Sequence, residues 1–128
     1  MDDVLIRSTG SLTGEQLVAI RGLLDDAFEG EFSDDDWRHS IGGVHVMVAR
    51  GEQVVAHASV MARTLTIGAR DVHAGYVEAV AVTPSLQGTG LGSAVMTAIA
   101  TVIAADFELG ALSTGEWRFY ERLGWRRW

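Results

Sequence analysis

The chain has no cysteine and no lysine, and a single proline. Each absence removes a class of chemistry. Without cysteine there is no disulfide, no thiolate nucleophile and no zinc–thiolate site. Without lysine there is no Walker phosphate loop, which ends in Gly-Lys-Ser/Thr. No apolar run approaches the length of a membrane span, and Met1-Asp2-Asp3 lacks the basic start of a secretory leader. A cytoplasmic protein with no membrane partner is expected. Positive charge is also scarce: 10 Lys+Arg stand against 17 Asp+Glu, for a net charge of −7. Such a chain is not drawn to the phosphates of nucleic acid. It attracts cations.

What is present is an ordinary globular composition, 48 % hydrophobic and 21 % charged over 128 residues. That suffices for one core, so residues 1–128 are read as a single domain. The most informative stretch runs Val80-Ala81-Val82-Thr83-Pro84-Ser85-Leu86-Gln87-Gly88-Thr89-Gly90-Leu91-Gly92. The apolar run Gly75 to Val82 is a strand that Pro84 stops, and Ser93 to Ala105 is an apolar helix. Glycine permits positive φ and close approach of a ligand to the backbone. Loop N–H groups beside a helix N-terminus suit a negative charge such as a diphosphate. A dinucleotide fingerprint fits poorly, because its third glycine falls on Ser93 or Val95. The pattern Gln87-Gly88-Thr89-Gly90-Leu91-Gly92 resembles the acetyl-coenzyme A loop of the GNAT N-acetyltransferases. The plainer reading is a tight glycine turn joining strand to helix.

Along the chain, Val4 to Arg7 reads as a first strand. A helix follows from Thr13 or Gly14 to about Phe28, with Leu17, Ile20, Leu24 and Phe28 as its apolar stripe. Ser33 is an N-cap for a short helix over Asp34 to Ser40, which Gly42-Gly43 ends. Val44 to Ala49 and Val54 to Ile67 form a hairpin around Arg50-Gly51-Glu52. Gly68 to Asp71 turns into a third strand, Val72 to Val82. After the long helix come a strand near Phe107 to Leu112 and a helix near Gly115 to Leu123. Trp125 to Trp128 begins a further strand. The order β-α-α-β-β-β-loop-α-β-α describes an α+β fold. Its central mixed sheet is an antiparallel meander closed by a parallel crossover and flanked by helices. Asp25, Asp26, Glu29, Glu31, Asp34, Asp35 and Asp36 lie within 12 residues with no basic residue among them. They read either as a solvated face with a cap cluster or as a binding site for a polycation. The histidines His39, His45, His57 and His73 lack metal-ligand spacing, so they are read as structural and no metal is expected.

Five further motifs occur in order. They are Gly30-Glu31-Phe32-Ser33-Asp34-Asp35-Asp36-Trp37, His39-Ser40-Ile41-Gly42-Gly43-Val44-His45, Gly75-Tyr76-Val77-Glu78-Ala79-Val80-Ala81-Val82, Leu109-Gly110-Ala111-Leu112-Ser113 and Tyr120-Glu121-Arg122-Leu123-Gly124-Trp125. From about Arg7 to Trp128 the chain resembles the aminoglycoside 2′-N-acetyltransferases of the GNAT superfamily. The resemblance implies a GNAT acyltransferase fold and acetyl transfer from acetyl-CoA to the 2′-amine of an aminoglycoside, a reaction of antibiotic resistance. It implies that Val80, Ala81, Val82 and the Gln87–Gly92 loop hold coenzyme A. It places Glu31, where aspartate is more usual, together with Asp36, Glu78, Ala79 and Ser113 near the substrate. It makes Glu78 the proton acceptor and Tyr120 the proton donor near the thioester sulfur.

The chemistry is coherent. An ammonium must lose a proton before its nitrogen attacks, and a nearby carboxylate receives it. The Val80 N–H is placed to stabilise a developing oxyanion. Other readings of the same residues stand beside this one. Glu78 pairs with Arg63 or His73, Tyr120 packs with Trp117 and Leu123, and Asp36 is only a first-turn carboxylate. The family pattern continues past Gly124-Trp125, so the fold is expected to be C-terminally shortened. The edge left beside Phe107–Leu112 is expected to pair in a homodimer or swapped strand. The Ser113–Tyr120 spacing is shorter than the family's. Two alternatives follow: a GNAT enzyme acting on another polyamine or a peptide amine, and a non-catalytic acyl-CoA-binding module.

Overall fold

Two helix starts follow from local chemistry. The Gln16 N–H donates to Thr13 Oγ1 at 3.1 Å, and the Thr13 N–H donates to the Gln16 side chain at 2.9 Å. Ser33 and Asp36 make the same reciprocal pair at 2.9 and 3.0 Å. Both are capping boxes, which satisfy N–H groups that a helix end leaves without partners. They open α1 (Gly14–Ala27) and α2 (Asp34–Ser40). The computed structural model describes residues 2–127.

Five strands, β1 (Asp3–Ser8), β2 (Val44–Arg50), β3 (Gln53–Ile67), β4 (Arg70–Val82) and β5 (Leu109–Ala111), form one sheet in sequential order. The first four are antiparallel, and β5 is parallel to β4. The crossover between β4 and β5 is α3 (Leu91–Asp106), and α4 (Trp117–Arg122) follows β5. The mixed sheet flanked by helices is the α+β arrangement read from the sequence.

Side chains alternate across the sheet with a period of two. Val46 and Val48 pack with Val95, Ile99 and Ile103 of α3. Met47, between them, packs with Ile20, Leu23 and Leu24 of α1 on the other face. Ile99 and Leu24 are fully buried, so truncating either to alanine costs about 2–5 kcal/mol.

Three local expectations change. The α1 stripe centres on Ile20, Leu23 and Leu24, while Phe28 is 40 % exposed; the helix ends at Ala27 and Phe28 is its cap. The strand expected over Phe107 to Leu112 contracts to Leu109–Ala111, because the Phe107 N–H closes α3 onto the Ile103 carbonyl at 2.9 Å. Residues 125–127 form no strand. Instead the Trp125 N–H donates to the Tyr120 carbonyl at 3.1 Å and the Gly124 N–H to the Glu121 carbonyl at 3.0 Å. With Gly124 at φ +98, this is a Schellman closure of α4. Trp128, the last residue of that expected strand, lies outside the described residues.

The β4–β5 pairing spans only Ala74–Tyr76 against Leu109–Ala111. At its centre, a Cβ on Gly75 would lie 2.9 Å from Val60 Cγ1, and one on Gly110 would lie 2.7 Å from Ile103 Cδ1. The two glycines let α3 pack hard against the sheet at this point. From Val77 onward, β4 has no strand partner on its β5 side among the described residues. The two strands therefore form a fork.

Candidate active site

The glycine loop leaves β4 and enters α3. Thr89 Oγ1 donates to the Leu86 carbonyl at 2.6 Å, and Gln87 Nε2 donates to the Val82 carbonyl at 3.3 Å. Gly88 and Gly90 have φ of +80 and +92. A Cβ at either would meet nothing within 4 Å. Gly90 is the N-cap of α3, offers no side-chain cap, and is followed by no acidic residue in the first turn. The first N–H groups of this 16-residue helix are thus open to an outside acceptor, and a diphosphate fits that demand. Gly92 serves a different purpose: its Cβ would lie 3.2 Å from Phe119 Cζ, so it admits α4 against α3. Leu91 is buried in the core.

One strand distortion organises the rest. Ser59 stands opposite Glu78, and His57 stands opposite Ala81. Ala79 and Val80 together therefore face a single β3 residue, Ala58, which makes a β-bulge. Ala79 has φ +53, the left-handed region that alanine adopts only at a cost of about 1–2 kcal/mol. The bulge resets the alternation of the strand. Val77, Val80 and Val82 pack on the α3 side, whereas Ala79 and Ala81 pack on the α1 side.

Glu78, Ala79, Glu31 and Asp36 line one open cleft of about 460 Å³, with His39 and Arg63. The structure thus brings together four of the five residues expected near a substrate. Glu31 comes from the loop after α1, Asp36 from α2 and Glu78 from β4. Ser113 is the exception. It lines a second cavity of about 330 Å³ beside Leu112, Trp117 and Tyr120. The two candidate proton-transfer groups, Glu78 and Tyr120, accordingly open into different cavities. Val80, Ala81 and Val82 lie on the β4 segment that has no strand partner on the β5 side among the described residues.

Electrostatics distinguish these groups. Burial pushes the Glu78 carboxyl up, against a smaller opposing pull from Arg63 and His39; Asp36 adds to the rise. Arg63 Nη2 donates to Glu78 Oε1 at 3.1 Å. Asp36 is held below the usual carboxylate range, first by the Ser33 backbone N–H and then by the Ser33 side chain. Tyr120 is buried among Phe119 and Trp125. Burial, with the charge of Glu116, pushes its hydroxyl up. So two of the plainer readings also hold geometrically: Glu78 is paired with Arg63, and Tyr120 belongs to the core. His39, read from the sequence as structural, lines the acidic cleft. Its spacing of three from Asp36 on one helix is the signal that puts both on one face.

The Acetyltransferase (GNAT) domain family matches residues 9–128 of this chain. Over 122 residues the chain is 39 % identical to an aminoglycoside 2′-N-acetyltransferase of Mycolicibacterium fortuitum, which covers 94 % of the chain. The chain spans 63 % of that relative's length. An acetyltransferase structure from Trypanosoma brucei is similar at a TM-score of 0.72 and 27 % identity, covering 98 % of this chain and 94 % of its own. A GCN5-related N-acetyltransferase structure from Kribbella flavida reaches 0.77 at 25 % identity, covering 96 % of this chain and 33 % of its own. A bulged strand, a glycine loop and a helix in this order, together with the family match over nearly all of its length, establish that the chain belongs to the GNAT acetyltransferases.

Proposed function

We propose that this chain uses acetyl-CoA to acetylate an amine of a polycationic small molecule, and that the acceptor is the 2′-amine of an aminoglycoside. The observation that carries the reading is the convergence of Glu31, Asp36 and Glu78 on one cleft, next to the bulge that separates Glu78 from Val80. Bound acetyl-CoA supplies the acetyl group as a thioester. The N–H groups from Gly88 to Gly92 hold its diphosphate. The open edge of β4 from Val80 to Val82 takes its pantetheine arm as an added strand would be taken. The Val80 N–H orients the thioester carbonyl.

Glu31 and Asp36 attract and place the ammonium groups of the acceptor. Glu78 accepts the proton that the reacting ammonium must lose, directly or through water. Its raised pKa brings it closer to the pH at which a general base works best. Tyr120, protonated at neutral pH as an ordinary phenol is, would supply the proton that the departing thiolate needs, on the other side of β4.

A thiol-release assay with acetyl-CoA tests this across aminoglycosides, linear polyamines and peptide amines. The expected result is release with aminoglycosides carrying a free 2′-amine, and none with those carrying a hydroxyl there. Because the acid set suits any polycation, release with polyamines or peptides alone would replace the acceptor. Coenzyme A binding with no release for any amine would reduce the chain to a binding module.

A further inference from the structure

Beneath the bulge runs a buried polar chain. The rings of His45 and His57 are both fully buried. His57 Nδ1 lies 2.9 Å from the Ala79 carbonyl, and His57 Nε2 lies 2.8 Å from His45 Nδ1. His45 Nε2 lies 2.6 Å from Thr9 Oγ1, and the Gly42 N–H donates to that same oxygen at 2.8 Å. The proton positions follow from what each atom can do. A carbonyl only accepts, so His57 carries its proton on Nδ1. Its Nε2 then accepts, so His45 also carries its proton on Nδ1. His45 Nε2 in turn accepts from the Thr9 hydroxyl. Every donor points one way, from Thr9 toward Ala79, and both rings are neutral. Burial holds His57 down to about 3, consistent with that state.

The chain ends on the carbonyl that the bulge has taken out of register. That carbonyl belongs to the non-glycine residue at φ +53. A carbonyl taken out of the sheet ladder needs another donor, which His57 supplies, and a strained alanine persists only where its surroundings hold it. Flattening the bulge would slip the pairing by one residue, and a slip by one exchanges the faces of all that follows. Glu78 and Val80 would then lose their present relation.

We propose that His57, His45 and Thr9 are positioning residues that fix the Ala79 bulge and so set Glu78 against the Val80 N–H. This rests on the acetyltransferase reading for its kinetic consequence only. The first test needs no activity: long-range proton–nitrogen spectra of the two imidazoles. Both rings are expected as neutral Nδ1–H tautomers at neutral pH; an Nε2–H tautomer on either ring would overturn the proposal. The second test is kinetic. His57→Asn keeps a donor at the δ position but has no atom in place of Nε2 and so loses the link to His45; it is expected to lose kcat about tenfold, short of a full misplacement. His57→Leu is expected to lose kcat by about a hundredfold, the scale of a 1 Å misplacement, with KM for acetyl-CoA unchanged. Thr9→Val, at the partly exposed end of the chain, is expected to fold and to lose kcat about fivefold by the same effect in smaller degree. It stands in if the leucine variant does not fold. A folded His57→Leu as active as His57→Asn, or a Thr9→Val with wild-type kcat, would overturn the proposal. A wild-type protein inactive on every amine, with the expected tautomers present, would sink the functional reading and leave the positioning chain standing.

Discussion

Arg63 Nη2 lies 3.1 Å from Glu78 Oε1, and the Arg63 guanidinium also stands over the Tyr76 ring at 4.5 Å. The carboxylate proposed as the base therefore has a cation partner within the protein, and a substrate ammonium must compete with it. Arg63 favours the charged carboxylate, while burial opposes it. Removing the guanidinium leaves burial unopposed, so the Glu78 pKa must rise further. In Arg63→Gln, the acid limb of kcat/KM against pH is expected to move to higher pH. An acid limb in the same place would show that Arg63 does not act on the titrating base.

Glu78 itself is tested by Glu78→Gln, which keeps the shape and removes the proton acceptor. General-base catalysis contributes about 10²–10⁴-fold, so kcat is expected to fall in that range and the acid limb to vanish. Calorimetric binding of coenzyme A is expected to be unchanged, because Glu78 lies in the acidic cleft and not in the glycine loop. A variant that keeps the wild-type pH profile removes Glu78 from the role of base.

The glycine loop is tested by two substitutions at Gly90. Its φ of +92 makes any side chain strained there, by about 1–2 kcal/mol for alanine. A Cβ at this position meets no atom within 4 Å, so Gly90→Ala is expected to fold with a slightly lowered Tm. Gly90→Glu adds the same strain and also sets a carboxylate at the start of α3. Coenzyme A binding is expected to weaken modestly in the alanine variant and to be lost in the glutamate variant. Equal affinities in the two would mean that the N–H groups here do not hold an anion.

The features legible in the sequence are those that depend on near neighbours. Thr13 with Gln16, and Ser33 with Asp36, each sit three residues apart, and their caps appear where the pattern puts them. Gly88 and Gly90 declare a left-handed loop between an apolar strand and an apolar helix. What was hidden depends on pairing across the sheet. Ala79 carries no local mark of a bulge; alanine is not a residue that advertises positive φ. The bulge arises because Ser59 and His57 pair two steps apart while Glu78 and Ala81 pair three apart. His45 and His57 sit 12 residues apart on neighbouring strands, so no spacing rule joins them. The strand expected to begin at Trp125 gives way to a turn. Gly124 supplies the left-handed residue of a helix closure, which uses the Trp125 N–H.

Asp36 has two tasks that can be separated. Its carboxylate accepts from the Ser33 N–H at 2.9 Å in the capping box of α2, and it lines the acidic cleft. Its pKa is lowered in the folded protein. A depressed carboxylate stabilises the fold at pH values above its unfolded pKa, and that contribution is lost as pH falls through the folded pKa. The Tm difference between wild type and Asp36→Asn is therefore expected to be fully open at neutral pH and to close below the ordinary carboxylate range. Ser33→Ala breaks the same cap while leaving the charge in the cleft, and is expected to cost about 1 kcal/mol. If Asp36 also holds the substrate, Asp36→Asn raises the aminoglycoside KM and Ser33→Ala does not. Equal KM values in the two variants, alongside the expected Tm loss in both, would confine Asp36 to the helix cap and leave Glu31 and Glu78 as the acids that face the amine.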